Sequence, residues 1–314
     1  MKKLAVIAFG GNALLRAGQT GTAEEQEQNC YDTCKNLIPL IKDGYKIVIT
    51  HGNGPQVGNI YLRSDAGYSV YHIPKMPLDI AVADSQGEIG YMVERQMRNL
   101  LVENNIDKKV ITVLTQVLVS KEDEAFKIPT KPVGPFYIKE EAELLSKAND
   151  WLFMEDPRKR GWRRVVASPK PLNILNAGII NCLVNDGHIV IAAGGGGIPV
   201  YLDEKNTYRP IEDAVIDKDL ASSLLASQIK ADMLYILTDI PKVCLNFNKP
   251  GQKEINQMKA SDAMEYYMQG QFPAGSMGPK ILAAVNFVEK NGNETIITEA
   301  TQVGKPGCGT IITA

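Results

Sequence analysis

The chain has 314 residues, of which 44% are apolar and 22% charged, with a formal net charge of -2. That length suits one large or two ordinary domains with sizeable cores, and the near-neutral balance excludes long-range attraction to nucleic acid or acidic membranes, so any anion has to be held by local groups. No run of about 18 apolar residues occurs, which excludes a helical membrane span; five scattered cysteines make no disulfide framework and fit a reducing cytoplasm.

The first strand signal is the aliphatic run 4–9, too short for the apolar stretch of a signal peptide and closed by Gly10-Gly11. A helical pattern follows at 23–43, where Cys30 and Cys34 would share one face; no further ligand stands nearby at metal-site spacing. Strand-like runs then recur at 46–50, 110–115, 189–193, 233–238 and 294–298. Helical patterns lie between them at 56–66, 83–104, 171–186, 218–228, 260–269 and 278–291. Asp43-Gly44, Asp186-Gly187 and Asn291-Gly292 read as helix stops. Such alternation predicts a mainly parallel sheet covered on both faces.

The pattern breaks at about 119–168, where Pro129, Pro132, Pro135 and Pro157 punctuate a segment dense in charge and aromatics. Tyr137, Trp151, Phe153 and Trp162 supply enough apolar surface for a small subdomain; a long functional surface loop is the competing reading. Residues 201–209 read as a hairpin, and the N-terminal part is expected to end near residue 212.

Three glycine clusters stand directly behind strand signals: Phe9-Gly10-Gly11-Asn12, His51-Gly52-Asn53-Gly54-Pro55 and Gly194-Gly195-Gly196-Gly197. A strand ending in glycine lets the chain turn sharply, and a helix starting there aims free N–H groups and its positive dipole end at an oxyanion. Three such junctions suggest two anionic ligands. Three lysines stand where neighbours fix the backbone: Lys131 between Pro129 and Pro135, Lys218 within Asp217-Lys218-Asp219, and Lys280 after Gly275-Ser276-Met277-Gly278-Pro279. The two aspartates around Lys218 either keep it charged beside phosphate or merely cap a helix. No Walker loop, protein-kinase signature or dinucleotide fingerprint is present. His51, His72 and His188 are too dispersed for a zinc site, and only His51 sits inside a glycine turn.

Gly10 to Asn12, the run 51–58, Ser85-Gln86-Gly87 with Ile89-Gly90-Tyr91, and the segments 129–135, 194–199, 215–219 and 275–280 together closely resemble carbamate kinase, nearly end to end. The resemblance implies the amino-acid-kinase fold: a three-layer αβα sandwich with a mainly parallel open sheet and a small protruding subdomain, about 119–168. A lobe at 1–212 would take carbamate or carbamoyl phosphate and a lobe at 213–314 the nucleotide. It implies a cytoplasmic homodimer that reversibly converts ATP and carbamate to ADP and carbamoyl phosphate with Mg²⁺ carried on the nucleotide, without a dedicated protein metal site. That activity serves ATP formation in arginine or related nitrogen breakdown. By the same resemblance Gly10, Gly11, Asn12, Gly52, Asn53 and Gly54 would contact the acceptor or the transferred phosphoryl group. Lys131, Lys218, Asp219 and Lys280 would be catalytic, and Thr238, Asp239, Gly275, Ser276 and Met277 would lie beside the nucleotide with Lys280. Three places depart from the pattern: Asp84, expected to put a carboxylate near the acceptor end, where it either repels carbamate or simply caps a helix; a longer turn at 155–162, bearing on subdomain movement; and a shorter approach to the last strand at 303–310. The alternatives are a related kinase acting on another small carboxylate and a nucleotide-binding sensor that has lost transfer.

Overall fold

The aliphatic runs of the sequence assemble into one eight-stranded sheet in the computed structural model, which describes residues 3–16, 18–156, 159–273 and 275–314. The strands are β1 Leu4–Phe9, β2 Lys46–His51, β3 Val110–Thr112, β4 Ile189–Ile191, β5 Met233–Thr238, β6 Gln257–Lys259, β7 Glu294–Glu299 and β8 Thr310–Thr313, in the spatial order β6-β8-β7-β5-β1-β2-β4-β3. All pairs from β7 across to β3 are parallel. β8 is antiparallel to β7 and parallel to β6, so this edge pair runs opposite to the rest.

Alternate side chains of each strand point to opposite faces. Val6, Val48, Val190, Leu234 and Ile236 pack on one side with α6 (Ala177–Asn185), α7 (Lys218–Gln228), α8 (Ala260–Met268) and α9 (Met277–Asn291). Ile7, Phe9, Ile47, Ile49 and Ile191 pack on the other with α1 (Ala23–Lys35), α2 (Ile38–Lys42) and α4 (Leu78–Glu103). Fully burying side chains of this size contributes roughly 1.5–3 kcal/mol each, which explains why strands this short suffice. The result is the expected three-layer αβα arrangement.

Differences from the sequence reading have local causes. The helix expected over 23–43 is two, because Pro39 lacks an N–H and its ring would collide with the carbonyl of Lys35 in a continuous helix. Cys30 and Cys34 are buried in the core rather than presented to solvent, and burial pushes both thiols up, Cys30 to about 12. The strand expected over 110–115 stops at Thr112, and residues 116–118 cross into a second sheet between 198–202 and 173–174. There 198–202 and 208–210 pair antiparallel as a hairpin. The three glycines read as helix stops, Gly44, Gly187 and Gly292, have φ of 87°, 96° and 68°.

Between β3 and β4 the proline-punctuated segment forms its own three-stranded antiparallel sheet from 131–137, 152–155 and 162–166, with α5 (Lys139–Asn149) alongside. A third, smaller core of Val57, Ile60, Leu78, Val82, Val133, Val166 and Val215 joins this sheet to α3 (Gly54–Tyr71) and α4. Pro157 and Arg158, part of the longer 155–162 turn, lie outside the described residues; within that turn Asp156 accepts two hydrogen bonds of 2.9 Å from Arg160.

Candidate active site

A cavity of about 420 Å³ opens at the carboxyl ends of β1, β2 and β5. β1 is followed in sequence by its neighbour β2 on one side, while β5 closes against it from the other, so a crevice forms where the winding changes direction. Gly10, Gly11, Gly52, Asn53, Gly54, Lys131, Lys218, Asp219, Thr238, Asp239, Gly275, Ser276 and Lys280 all line it, gathered from positions up to 270 residues apart in the chain. Asn12 lies in the short helical turn Gly11–Ala13. Met277 is the first residue of α9 but is not among the lining residues.

Two helices begin on the cavity wall without a side-chain cap: α3 after Asn53 and α9 after Ser276. First-turn N–H groups have no partner within a helix, so α3 offers those of Gly54 and Gln56 to an anion; α9 offers less, because Pro279 has no N–H and Gly278 N–H already donates to the carbonyl of Pro273 at 2.9 Å. α7 differs, because Oδ1 of Asp217 accepts from the N–H groups of Asp219 at 2.9 Å and Leu220 at 3.3 Å. The N-cap reading of Asp217 is therefore correct but incomplete, since its Oδ2 also accepts from Nζ of Lys131 at 2.7 Å.

The carboxylates and lysines divide by geometry. Lys218 Nζ donates to Asp219 Oδ1 at 2.5 Å and Lys280 Nζ to Asp219 Oδ2 at 2.9 Å, so one carboxylate holds two ammonium groups. Asp219 is 5% exposed, Lys218 15% and Lys280 13%, whereas Lys131 at 36% stands nearer the mouth. Burial alone would raise the Asp219 carboxyl, but Lys218 and Lys280 together hold it well below the usual range. Burial pushes the Lys218 ammonium below its ordinary value, against the pull of Asp219. Burial also opposes the charge of Lys280, yet Asp219, Asp217 and Asp239 outweigh it and keep that pKa above normal. The Asp-Lys-Asp pattern suggested that both carboxylates serve Lys218; what sequence reasoning missed is the contact of Asp217 with Lys131, which only the return of the 131–137 strand brings to it.

The glycines of 194–197 play a different part from the one expected. Only Gly195 lines the cavity. A Cβ on Gly194 would meet the His51 ring at 2.5 Å, one on Gly196 the carbonyl of Ile216 at 2.3 Å, and one on Gly197 the side chain of Val117 at 2.2 Å. This cluster is a packing device that lets the turn after β4 nest behind the turn after β2. Gly195 itself has φ of +65°, and a Cβ there would lie 2.2 Å from Nδ2 of Asn53, which donates to Ser85 Oγ at 2.8 Å. Gly195→Ala is expected to displace Asn53, lower turnover and lower unfolding stability by roughly 2–4 kcal/mol through strain and overlap. An unchanged urea midpoint with unchanged turnover would refute this account.

Ser85 and Gln86, from α4, brace these turns from behind. Gln86 Nε2 donates to the carbonyls of Gly194 at 3.0 Å and Thr115 at 3.2 Å, and its Oε1 accepts from Thr115 N–H at 2.8 Å. Asp84, by contrast, sits on the exposed side of α4 and does not line the cavity, so the expected carboxylate near the acceptor end is not there.

His51 is buried behind the same turns, its Nδ1–H donating to the carbonyl of Gly52 at 2.9 Å. Burial lowers its pKa from 6.5 to about 4, with the Gly52 carbonyl opposing and Lys218 adding to the shift. The unfolded chain takes up this proton near pH 6.5 and the folded chain resists it down to about pH 4. Stability is thus full above the first value and falls between the two by about 3 kcal/mol. His51→Asn is expected to flatten that slope in urea unfolding measured across this range; a variant with the parent's full acid sensitivity would assign the effect to other groups.

The amino acid kinase family profile matches residues 3–299. The chain belongs to this family, and is thus a phosphotransferase of the αβα class. Within the family it groups with the carbamate kinases. It is 49% identical to the carbamate kinase of Thermococcus kodakarensis, covering 94% of this chain and 93% of that one. It is 46% identical to that of Lentilactobacillus hilgardii, covering 100% and 98%. Among solved structures, the carbamate kinase of Giardia lamblia bound to AMP-PNP superposes with a TM-score of 0.91 at 43% identity, covering 99% of this chain and 98% of that one.

Proposed function

We propose that this protein transfers a phosphoryl group reversibly between ATP and carbamate, forming ADP and carbamoyl phosphate. The observation that carries the reading is the cavity wall itself: three lysines and two uncapped helix ends, and no histidine among the described lining residues. A carbamate oxygen is already ionised and needs no general base, whereas a hydroxyl acceptor does; a site of charges and N–H donors suits the first. His51 is neutral, buried and bonded to Gly52, which keeps it from serving as a base.

In the synthetic direction a carbamate oxygen attacks the γ-phosphorus of ATP, the new P–O bond forms, and the bond to the β,γ-bridging oxygen breaks with its electron pair leaving on ADP. The turns at Gly10 to Asn12 and Gly52 to Gly54 hold the acceptor and the moving group with backbone N–H donors. Lys218 and Lys280, fixed on Asp219, neutralise charge as it spreads over the equatorial oxygens, and Lys131 closes the site from the 131–137 strand. Thr238, Asp239, Gly275 and Ser276 face the nucleotide, and Met277 begins the helix behind them. The residues also fit a magnesium ion borne mainly by phosphate oxygens and water, because Asp217 and Asp219 are occupied by lysines and Asp239 is the remaining carboxylate among the described lining residues. When bound, the ion supplies further neutralisation of phosphate charge.

In this reading residues 1–212, with the subdomain at about 119–168, form the acceptor lobe and 213–314 the nucleotide lobe of a cytoplasmic homodimer that makes ATP during arginine or related nitrogen breakdown. The deciding assay supplies ADP, Mg²⁺ and carbamoyl phosphate to purified protein and measures ATP. Formation of ATP is expected; its absence across the neutral and alkaline range, with acetyl phosphate active instead, would transfer the reading to another small carboxylate.

A further inference from the structure

We propose that Arg164 is the positioning residue that holds Lys131 over the reaction centre, an inference that rests on the reading of Lys131 as a catalytic charge. Lys131 is not fixed by packing: its side chain is 36% exposed and its terminal contact is Asp217. Its place depends on where its strand sits relative to the body of the sheet. Arg164 controls that placement. It lies on the neighbouring strand opposite Val133, two pairs along the ladder from Lys131–Val166, and is 5% exposed.

Its guanidinium forks between two elements of the main body. Nη1 donates to the hydroxyl of Tyr61 on α3 at 3.0 Å, and Nη2 to Oδ1 of Asp213 at 2.6 Å. α3 is the helix that starts at the Asn53-Gly54 turn, and Asp213 precedes Asp217, the partner of Lys131, by four residues. The guanidinium also lies 4.1 Å from the ring centroid of Trp151 and 5.3 Å from that of Tyr61. The backbone continues the tie, with Val215 N–H donating to Ala167 O at 3.0 Å and Ala167 N–H to Asp213 O at 3.3 Å. Gly58 lets α3 approach the strand closely, since a Cβ there would be 3.1 Å from Cα of Gly134. One planar, permanently charged fork thus sets the lysine-bearing sheet against both the acceptor turn and the segment that carries Asp217, a geometry a single ammonium cannot reproduce.

A double-mutant cycle tests this. Arg164→Met and Asp213→Asn are each expected to lower kcat on the order of 10- to 100-fold, as small displacements of a reacting group do, with KM for ADP changed less than about twofold. Arg164→Lys should recover only part of the loss. In a Lys131→Ala background, itself down about 100-fold, the same substitutions should cost nothing more, because the residue they position is gone. Both tryptophans of the chain, Trp151 and Trp162, lie in this region, so a change in emission reports release of Arg164 from Trp151 in the folded variants. If Arg164→Met does not fold, Asp213→Asn, whose side chain is 64% exposed, carries the comparison alone. Full additivity in the double variants, or unchanged kcat in folded single variants, overturns the positioning role. An unchanged kcat in Lys131→Ala instead overturns the catalytic reading of Lys131 on which it rests.

Discussion

Asp219→Asn is expected to lower ATP formation from ADP and carbamoyl phosphate by on the order of 1000-fold, the largest effect of any single substitution in the site. The carboxylate accepts from Lys218 on one oxygen and from Lys280 on the other. An asparagine keeps the shape but turns one of those acceptors into an NH₂ donor facing an ammonium group, and it removes the negative charge that lets two buried cations lie side by side. Losing one partner of a buried ion pair costs roughly 3–5 kcal/mol of stability, so unfolding measurements have to accompany the kinetics. A second signature separates lost charge from lost fold. Without Asp219, Lys218, already pushed below its ordinary pKa by burial, falls further, and the variant's remaining activity should decline with rising pH earlier than the parent's as the ammonium is lost. A folded Asp219→Asn protein with parental turnover would remove the lysine pair from the mechanism.

Lys218→Met is expected to reduce kcat by roughly 100- to 1000-fold while leaving ADP binding within a few-fold, because the contact it removes strengthens only as charge develops on the transferring group. Methionine preserves the length and apolar stem of the side chain, which runs past Gly52; a Cβ at Gly52 would stand 3.3 Å from Cδ of Lys218. The change therefore deletes a charge and little else. Asp219 keeps Lys280 as a partner, so stability should fall less than in Asp219→Asn. The check is a pre-steady-state measurement of ATP formation alongside calorimetric ADP binding. Equal losses in binding and turnover would mean that Lys218 is a nucleotide anchor rather than a transition-state group.

Much of the site was legible because its parts are local. A glycine turn behind an aliphatic run, as at Phe9-Gly10-Gly11 or His51-Gly52, is a statement about backbone conformation within a few residues, and such statements survive folding. Lys280 behind Gly275 to Pro279 belongs to the same kind. The pairing of Lys131 with Asp217 was not legible, since it spans 86 residues and depends on how an inserted sheet returns to the body. Nor was the purpose of the 194–197 glycines: spacing allows an anion cradle, while contacts with His51, Ile216 and Val117 make most of it a close-packing surface. Asp84 illustrates the converse error. It is adjacent to Ser85 and Gln86 in sequence, but successive residues of a helix point about 100° apart, which carries its carboxylate to the outside of α4 while its neighbours face the turns.

By itself the sequence determined the layer architecture, through the alternation of apolar periods, and the types of group available to meet phosphate. Tertiary structure alone decided which charges meet. Backbone preferences and hydrophobic periodicity act over a few residues, whereas the balance between burying a lysine and pairing it is settled only where distant segments converge, with Asp219 between two ammonium groups and Arg164 between two elements.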